Sequence, residues 1–182
     1  ARRQRQMCIR DSPSSLHPST FTSWGPTPEL DFKPHIAGIG GNVWSTQNGE
    51  NNYIGMSGTS MAAPNISGLS ALVMQSYKNR FPHLSAKALA TRVEQALMNT
   101  AQVLKNDGGV PYAPRQIGAG LAQVDKAVDT NVIATVDDTD NAYAQLRQVN
   151  GPRTISVKLH NIGNSDAQFD IPAVSYTHLR AH

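Results

Sequence analysis

The sequence predicts a fold that contains both helices and strands, on the strength of three patterns. Two stretches carry apolar residues at the alternating three- and four-residue spacing of a helix face. A third stretch alternates apolar and polar residues over residues 154–160, and again over residues 167–171, as half-buried strands do. Of the 182 residues, 39% are apolar and 16% are charged, and this composition excludes a disordered chain.

The two ends of the chain, residues 1–12 and 174–182, are left out of the fold prediction. Both resemble translated sequencing-library adapters, because the codons that fit residues 6–12 are the reverse complement of those that fit residues 174–179. Without the five arginines and the one aspartate of these tails, the formal net charge changes from +3 to −1. We therefore expect a piece of a longer protein, cut at both ends, with no nucleic-acid partner; a genuine basic arm is the alternative.

The first predicted elements lie in the amino-terminal half of the chain. Residues 13–49 hold many prolines, and we expect short buried strands and turns there. A helix is predicted to begin close to Ser60, because Pro64 fits only near the start of a helix. The buried face of this helix is marked by Ala62, Ile66, Leu69, Val73 and Tyr77.

A second helix is predicted to begin at Ser85, a good N-cap residue, and to end at Gly108–Gly109. Its buried stripe is Leu89, Val93, Leu97, Ala101 and Leu104. A short helical stretch follows from Leu121 to Val128.

The alternating stretch predicts a β-hairpin in which residues 154–160 pair with residues 167–171 around a polar turn. Its apolar side chains, including Val157 and Leu159, share one face, and His160 belongs to the opposite, outward set. Because two strands alone are marginally stable in water, we expect the hairpin to begin a β-sandwich.

The stretch Ser57–Pro64 carries the pattern that points to chemistry. A serine at the start of an apolar helix lies beside free backbone N–H groups and the positive end of the helix dipole. Its hydroxyl could attack a carbonyl while those N–H groups stabilise the oxyanion. The alternative is that Ser60 only caps the helix.

The residues Gly58-Thr-Ser-Met-Ala-Ala-Pro64 resemble the nucleophile motif of the subtilisin-like serine proteases. The stretches 21–25, 33–40, 97–101 and 118–121 resemble further segments of that family, in the same order. Two positions depart from the family pattern. Gly38-Ile39-Gly40 replaces Ala-Pro-Gly, which bears on the local turn, and Asn65 replaces a structural histidine, which should not abolish activity.

The resemblance implies an α/β fold with a mostly parallel sheet. Residues 13–130 would form the carboxy-terminal part of the peptidase domain. Residues 131–173 would begin a fibronectin-III-like β-sandwich, as in the cell-envelope proteinase (lactocepin-like) subgroup. The resemblance further implies a secreted or cell-envelope location, protein or peptide substrates and no cofactor for the chemistry, with structural calcium left open for the full-length protein.

By the same resemblance, Ser60 would be the nucleophile that forms an acyl-enzyme, and its N–H would supply half of the oxyanion hole. Gly58 and Thr59 would contribute to substrate binding, and no metal ligand is expected. The family's Asp-Thr-Gly and His-Gly-Thr-His motifs do not occur in this sequence, and no asparagine fits the oxyanion hole. We therefore expect this chain alone to be inactive. Two alternatives stay open: a non-catalytic homologue that acts as a cell-surface binding or scaffold protein, and an unrelated helical domain with a hairpin.

Overall fold

The computed structural model of the protein describes residues 16–49, 51–136 and 139–169. Helices and strands both occur in these ranges, so the mixed fold predicted from the sequence is confirmed. In chain order the elements are β1 (Val43–Thr46), β2 (Tyr53–Met56), α1 (Thr59–Arg80), α2 (Ala86–Asn99), α3 (Pro114–Ile117), α4 (Val124–Asp129), β3 (Val132–Val136) and β4 (Val157–Asn161).

The core of the described ranges lies where α1, α2 and α4 meet β3. Helix α1 begins at Thr59, which confirms the predicted start close to Ser60, and Val73 and Tyr77 of its predicted stripe are fully buried. From the other elements, Val93, Ala127 and Ile133 complete the centre of this core. Packing of these apolar faces, rather than helix propensity, is what stabilises helices of this kind.

Helix α2 begins as predicted but ends earlier. Ser85 is its N-cap, and the Ser85 hydroxyl accepts a hydrogen bond from the N–H of Ala88 at 3.3 Å. The prediction that the helix runs to Gly108–Gly109 is wrong, because Thr100 caps it: its N–H and its hydroxyl both donate to the carbonyl oxygen of Ala96. Leu104 of the predicted stripe is buried, but it lies in the extended chain beyond the helix.

Strand β1 lies in the range where short strands were predicted, but its antiparallel pairing with β2 was not predicted. The expected burial is also absent there, since Trp44 is 52% exposed. Ala37 is half-buried and forms a parallel bridge to Leu121, which the sequence had placed in a helix that in fact begins at Val124. Within the described ranges both two-stranded sheets are antiparallel, and the mostly parallel sheet implied by the resemblance stays an expectation for the complete protein.

The prediction of which strand pairs with β4 is wrong. Strand β4 pairs antiparallel with β3, with Ile133 opposite His160, whereas residues 167–169 form no strand and residue 171 lies outside the described ranges. The predicted faces are also exchanged. His160 shares the face of the buried Ile133 and Thr135, and its ring lies 2.9 Å from the Thr135 hydroxyl, so the apolar set is turned outward, with Val157 60% exposed.

Tyr77 makes the stability of this core sensitive to pH in the alkaline range. Its buried hydroxyl donates to the carbonyl oxygen of Ala127 at 2.9 Å. Burial raises the pKa of Tyr77 above its ordinary value of 10.0, although Arg80 and Arg92 act in the opposite direction. Because the folded-state pKa is raised, the neutral phenol stabilises the fold below about pH 10, and this stabilisation is lost as the pH rises through the folded-state pKa.

We expect the urea midpoint of the wild type to fall more steeply above this pH than that of Tyr77→Phe. Parallel curves for the two proteins would contradict this.

Candidate active site

Ser60 lies exposed in the first turn of α1. The N-cap of this helix is Gly58, so Ser60 is the second helical residue, and the alternative that it only caps the helix does not hold. Among the described residues, neither the hydroxyl nor the backbone N–H of Ser60 has a hydrogen-bond partner. A free hydroxyl beside a free N–H at a helix start is what attack on a carbonyl and stabilisation of its oxyanion require.

Ser57, the other serine of the motif, is already engaged. Its hydroxyl oxygen accepts the N–H of Asn42 at 2.8 Å, and the hydroxyl lies 3.3 Å from the side-chain oxygen of Asn42. These two bonds fix the chain just before α1 begins. Ser57 is therefore a structural residue, and Ser60 is the serine of the motif that is free to react.

The start of α1 is held by a segment that we call the glycine loop, residues 38–42. The N–H of Gly58 donates to the carbonyl oxygen of Gly40 at 2.8 Å. About two turns further along the chain, the side-chain oxygen of Asn65 in α1 accepts the N–H of Ile39 at 3.2 Å. Asn65, which departs from the family pattern, thus fastens the glycine loop to the helix that carries Ser60.

Close packing explains the glycines in this loop. A Cβ atom at Gly40 would lie 2.6 Å from the carbonyl oxygen of Gly58 and 3.0 Å from the Cβ of Ala62. At Gly38 it would lie 2.7 Å from the Ile66 side chain. The sequence Gly38-Ile39-Gly40 therefore suits a loop that lies directly on the first turns of α1.

The two predicted substrate-binding residues lie on either side of the start of α1. Gly58 is half-buried, and its carbonyl oxygen accepts the N–H groups of Met61 and Ala62 at 3.1 and 3.3 Å. Thr59 is exposed. Both residues line a cavity of about 240 Å³ that also includes Phe21 and Gly40. Their role in substrate binding stays a prediction.

Three of the four histidines in the described ranges contact partners other than Ser60. His17 lies 3.4 Å from Asp107, His35 lies 2.8 Å from Glu94, and neither these residues nor His83 or His160 hydrogen-bonds Ser60. Within the described ranges, the Ser60 hydroxyl therefore has no hydrogen-bonded histidine to act as its base. Nor do they contain a group of three or more His, Cys, Asp or Glu residues placed to hold a metal ion.

The family assignment follows from a comparison of sequences. The Subtilase family profile matches residues 9–120, more than half of the chain. The chain belongs to the subtilase family. It is 45% identical over 120 residues to the PII-type proteinase of Lactococcus lactis subsp. cremoris, a match that covers 61% of this chain and 6% of the relative.

A second relative matches a longer part of this chain. The C5a peptidase of Streptococcus pyogenes is 31% identical over 144 residues, which cover 79% of this chain and 12% of the relative. Among solved structures, the CspB protease of Clostridium perfringens matches 53% of this chain and 20% of its own at 30% identity and a TM-score of 0.43. The chain thus spans a small part of the length of the curated relatives it matches.

For this subtilase segment, the sequence patterns identified the helix start and Ser60 but not the residues that hold them. No sequence pattern indicated that Asn42 contacts Ser57, because that contact needs a turn that brings the two residues together across 15 positions. The cluster of glycines around Ile39 was the available signal, because glycine is typical of places where backbones approach closely.

Proposed function

We propose that this chain is part of a subtilisin-like serine endopeptidase in which Ser60 attacks the scissile peptide carbonyl. The attack would form an acyl-enzyme and release the amine, and water would then hydrolyse the ester. The proton of the Ser60 hydroxyl would pass to a histidine oriented by an aspartate, both supplied by parts of the protein outside this chain. No cofactor is needed, because every group in this scheme belongs to the protein.

The observation that supports this proposal best is the environment of Ser60. The hydroxyl is exposed and without a partner among the described residues, and the N–H of the same residue is free at the helix start. A serine kept only for structure would be engaged as Ser57 is. Gly58 and Thr59 line the adjacent cavity, where the residue before the cleaved bond would bind.

The part of the chain after α4 supports a second, structural element of the proposal. Strands β3 and β4 form an antiparallel pair whose outer face exposes Val157 and Leu159. An apolar sheet face of this kind needs a second layer. We therefore propose that residues 131–173 begin a fibronectin-III-like sandwich and that the complete protein acts at the cell envelope. Among the described helices, none combines the length and the apolar character of a membrane span.

The test compares this chain with the complete protein that its reading frame encodes. We expect the complete protein to cleave casein and the 182-residue chain alone to have no detectable activity, because a serine without its base is a weak nucleophile. Cleavage by the short chain that persists in Ser60→Ala would contradict the assignment of Ser60. A complete protein that lacks the triad aspartate and histidine and cleaves nothing would instead be a non-catalytic binding or scaffold protein.

A further inference from the structure

A segment beyond the family match packs against the peptidase part through an aromatic stack. We call this segment, residues 143–147, the strap. The Tyr143 ring lies 5.3 Å from the Phe32 ring and 4.7 Å from the His35 ring, measured between centroids. His35 also contacts α2, since its Nδ1 lies 2.8 Å from a carboxylate oxygen of Glu94. His35 is therefore held between the strap and α2.

Polar contacts join the strap to the same turn. The side-chain oxygen of Gln145 accepts the N–H of Phe32 at 2.9 Å, and the amide nitrogen of Gln145 donates to Asp31. Arg147 donates to the same carboxylate at 3.1 Å. The strap thus binds both the backbone and the side chains of residues 31–35.

From His35, the backbone leads directly to the glycine loop, which contacts the start of α1, residues 57–60; we call these residues the nucleophile turn. The carbonyl oxygen of His35 accepts the N–H of Ala119 at 3.0 Å, and the N–H of Ala37 donates to Gly120 at 2.9 Å. Along the chain, Gly38 and Ile39 alone lie between these anchors and Gly40, which accepts the hydrogen bond from Gly58. Residues 35–42 are consequently fixed at one end by the strap together with residues 119 and 120, and hold the N-cap of α1 at the other.

We propose that the strap positions the nucleophile turn, with Tyr143 as the positioning residue that fixes His35 and through it the glycine loop. The strap lies outside residues 9–120, the range matched by the family profile, so it is an addition to that range. This inference rests on the proposed function for its catalytic meaning. Its mechanical part, that removing the Tyr143 ring loosens the bond between Gly58 and Gly40, can be tested without any activity.

The test measures hydrogen exchange in the complete protein, on peptides that cover residues 56–62 and therefore the N–H of Gly58. We expect Tyr143→Leu to accelerate exchange there about tenfold, because the loop opens locally more often. Tyr143→Phe should stay within about twofold of the wild type, since the ring contacts do not use the hydroxyl. The matched control is Tyr112→Leu, because Tyr112 is also half-buried and contacts a histidine, His17, but has no hydrogen bond or ring contact with residues 31–42.

Exchange at residues 56–62 that is unchanged in Tyr143→Leu, or equally faster in Tyr112→Leu, would overturn the proposal. If Tyr143→Leu does not fold, Gln145→Leu takes its place: it keeps the stack and removes the acceptor for Phe32. There we expect exchange about threefold faster, and no change would refute the strap's role. A wild-type protein that cleaves no casein would refute the proposed function while the exchange result still decides on the strap. In an active protein, Tyr143→Leu should lower kcat and leave KM unchanged.

Discussion

Replacement of Ser60 by alanine in the complete protein is expected to abolish hydrolysis of casein peptides. Loss of the nucleophile lowers kcat by about 10⁶-fold in subtilisin itself, and we expect a fall of the same order here. The physical reason is that, of the two serines in the stretch 57–64, only Ser60 combines exposure, freedom from hydrogen bonds and a free N–H at the start of a long helix. The same variant should lose covalent labelling by a fluorophosphonate, which reports the nucleophile directly.

Ser67→Ala is the matched control for this prediction. Ser67 is exposed on the same helix, but its hydroxyl donates to the carbonyl oxygen of Ala63 at 3.0 Å, and it lies two turns away from the helix start. We expect kcat within about twofold of the wild type, because surface substitutions of this kind change little. If Ser60→Ala retains activity and labelling, the nucleophile lies elsewhere in the protein and the assignment falls.

Local sequence patterns predicted where the helices begin, because a helix start depends on residues that are close in sequence. Ser85 caps α2 as its residue type indicated, and Val73 and Tyr77 lie buried at the positions that the helical period required. The end of α2 was missed because Thr100 closes the helix through its own hydroxyl, and the apolar period continues past it into an extended chain.

Strand pairing was predicted less well, because it depends on segments far apart in the sequence. The alternation in residues 154–160 identified β4 but could not show that its partner, β3, precedes it by more than twenty residues. Alternation also leaves the choice of the buried face open when both faces carry plausible side chains. Here the contact with Thr135 sets His160 inward, and the apolar set is left for a further layer.

The same limit applies to the candidate site. A compact motif made Ser60 predictable, whereas the glycine loop that supports it lies some twenty residues upstream and contacts it only after folding. Gly58 illustrates the difference. Its backbone is extended and a Cβ atom would meet Met61 only at 3.6 Å, so the conformation at Gly58 does not require glycine. The steric requirement lies at Gly40.

Gly40→Ala should therefore damage the site more than its small size suggests. The new methyl group would lie 2.6 Å from the carbonyl oxygen of Gly58, a backbone atom at the N-cap of α1 that cannot turn away as a side chain could. To relieve this clash, the glycine loop must move away from the helix, and this movement breaks the hydrogen bond from the N–H of Gly58 to the carbonyl oxygen of Gly40. We expect kcat to fall by about a hundredfold, the loss that a displacement of about 1 Å at a reacting group can cause. The overpacking should also cost about 1–3 kcal/mol of stability.

Gly41→Ala separates this steric effect from a general loss of loop flexibility. The two glycines are adjacent and neither has a positive φ, but a Cβ atom at Gly41 would meet only the Ser19 hydroxyl, at an ordinary 3.6 Å. We expect its kcat to stay within about twofold of the wild type and its stability to change by less than about 0.5 kcal/mol. Equal losses in both variants would mean that flexibility of the loop matters rather than its contact with α1. A Gly40→Ala protein with normal kcat would show that the bond between Gly40 and Gly58 does not position Ser60.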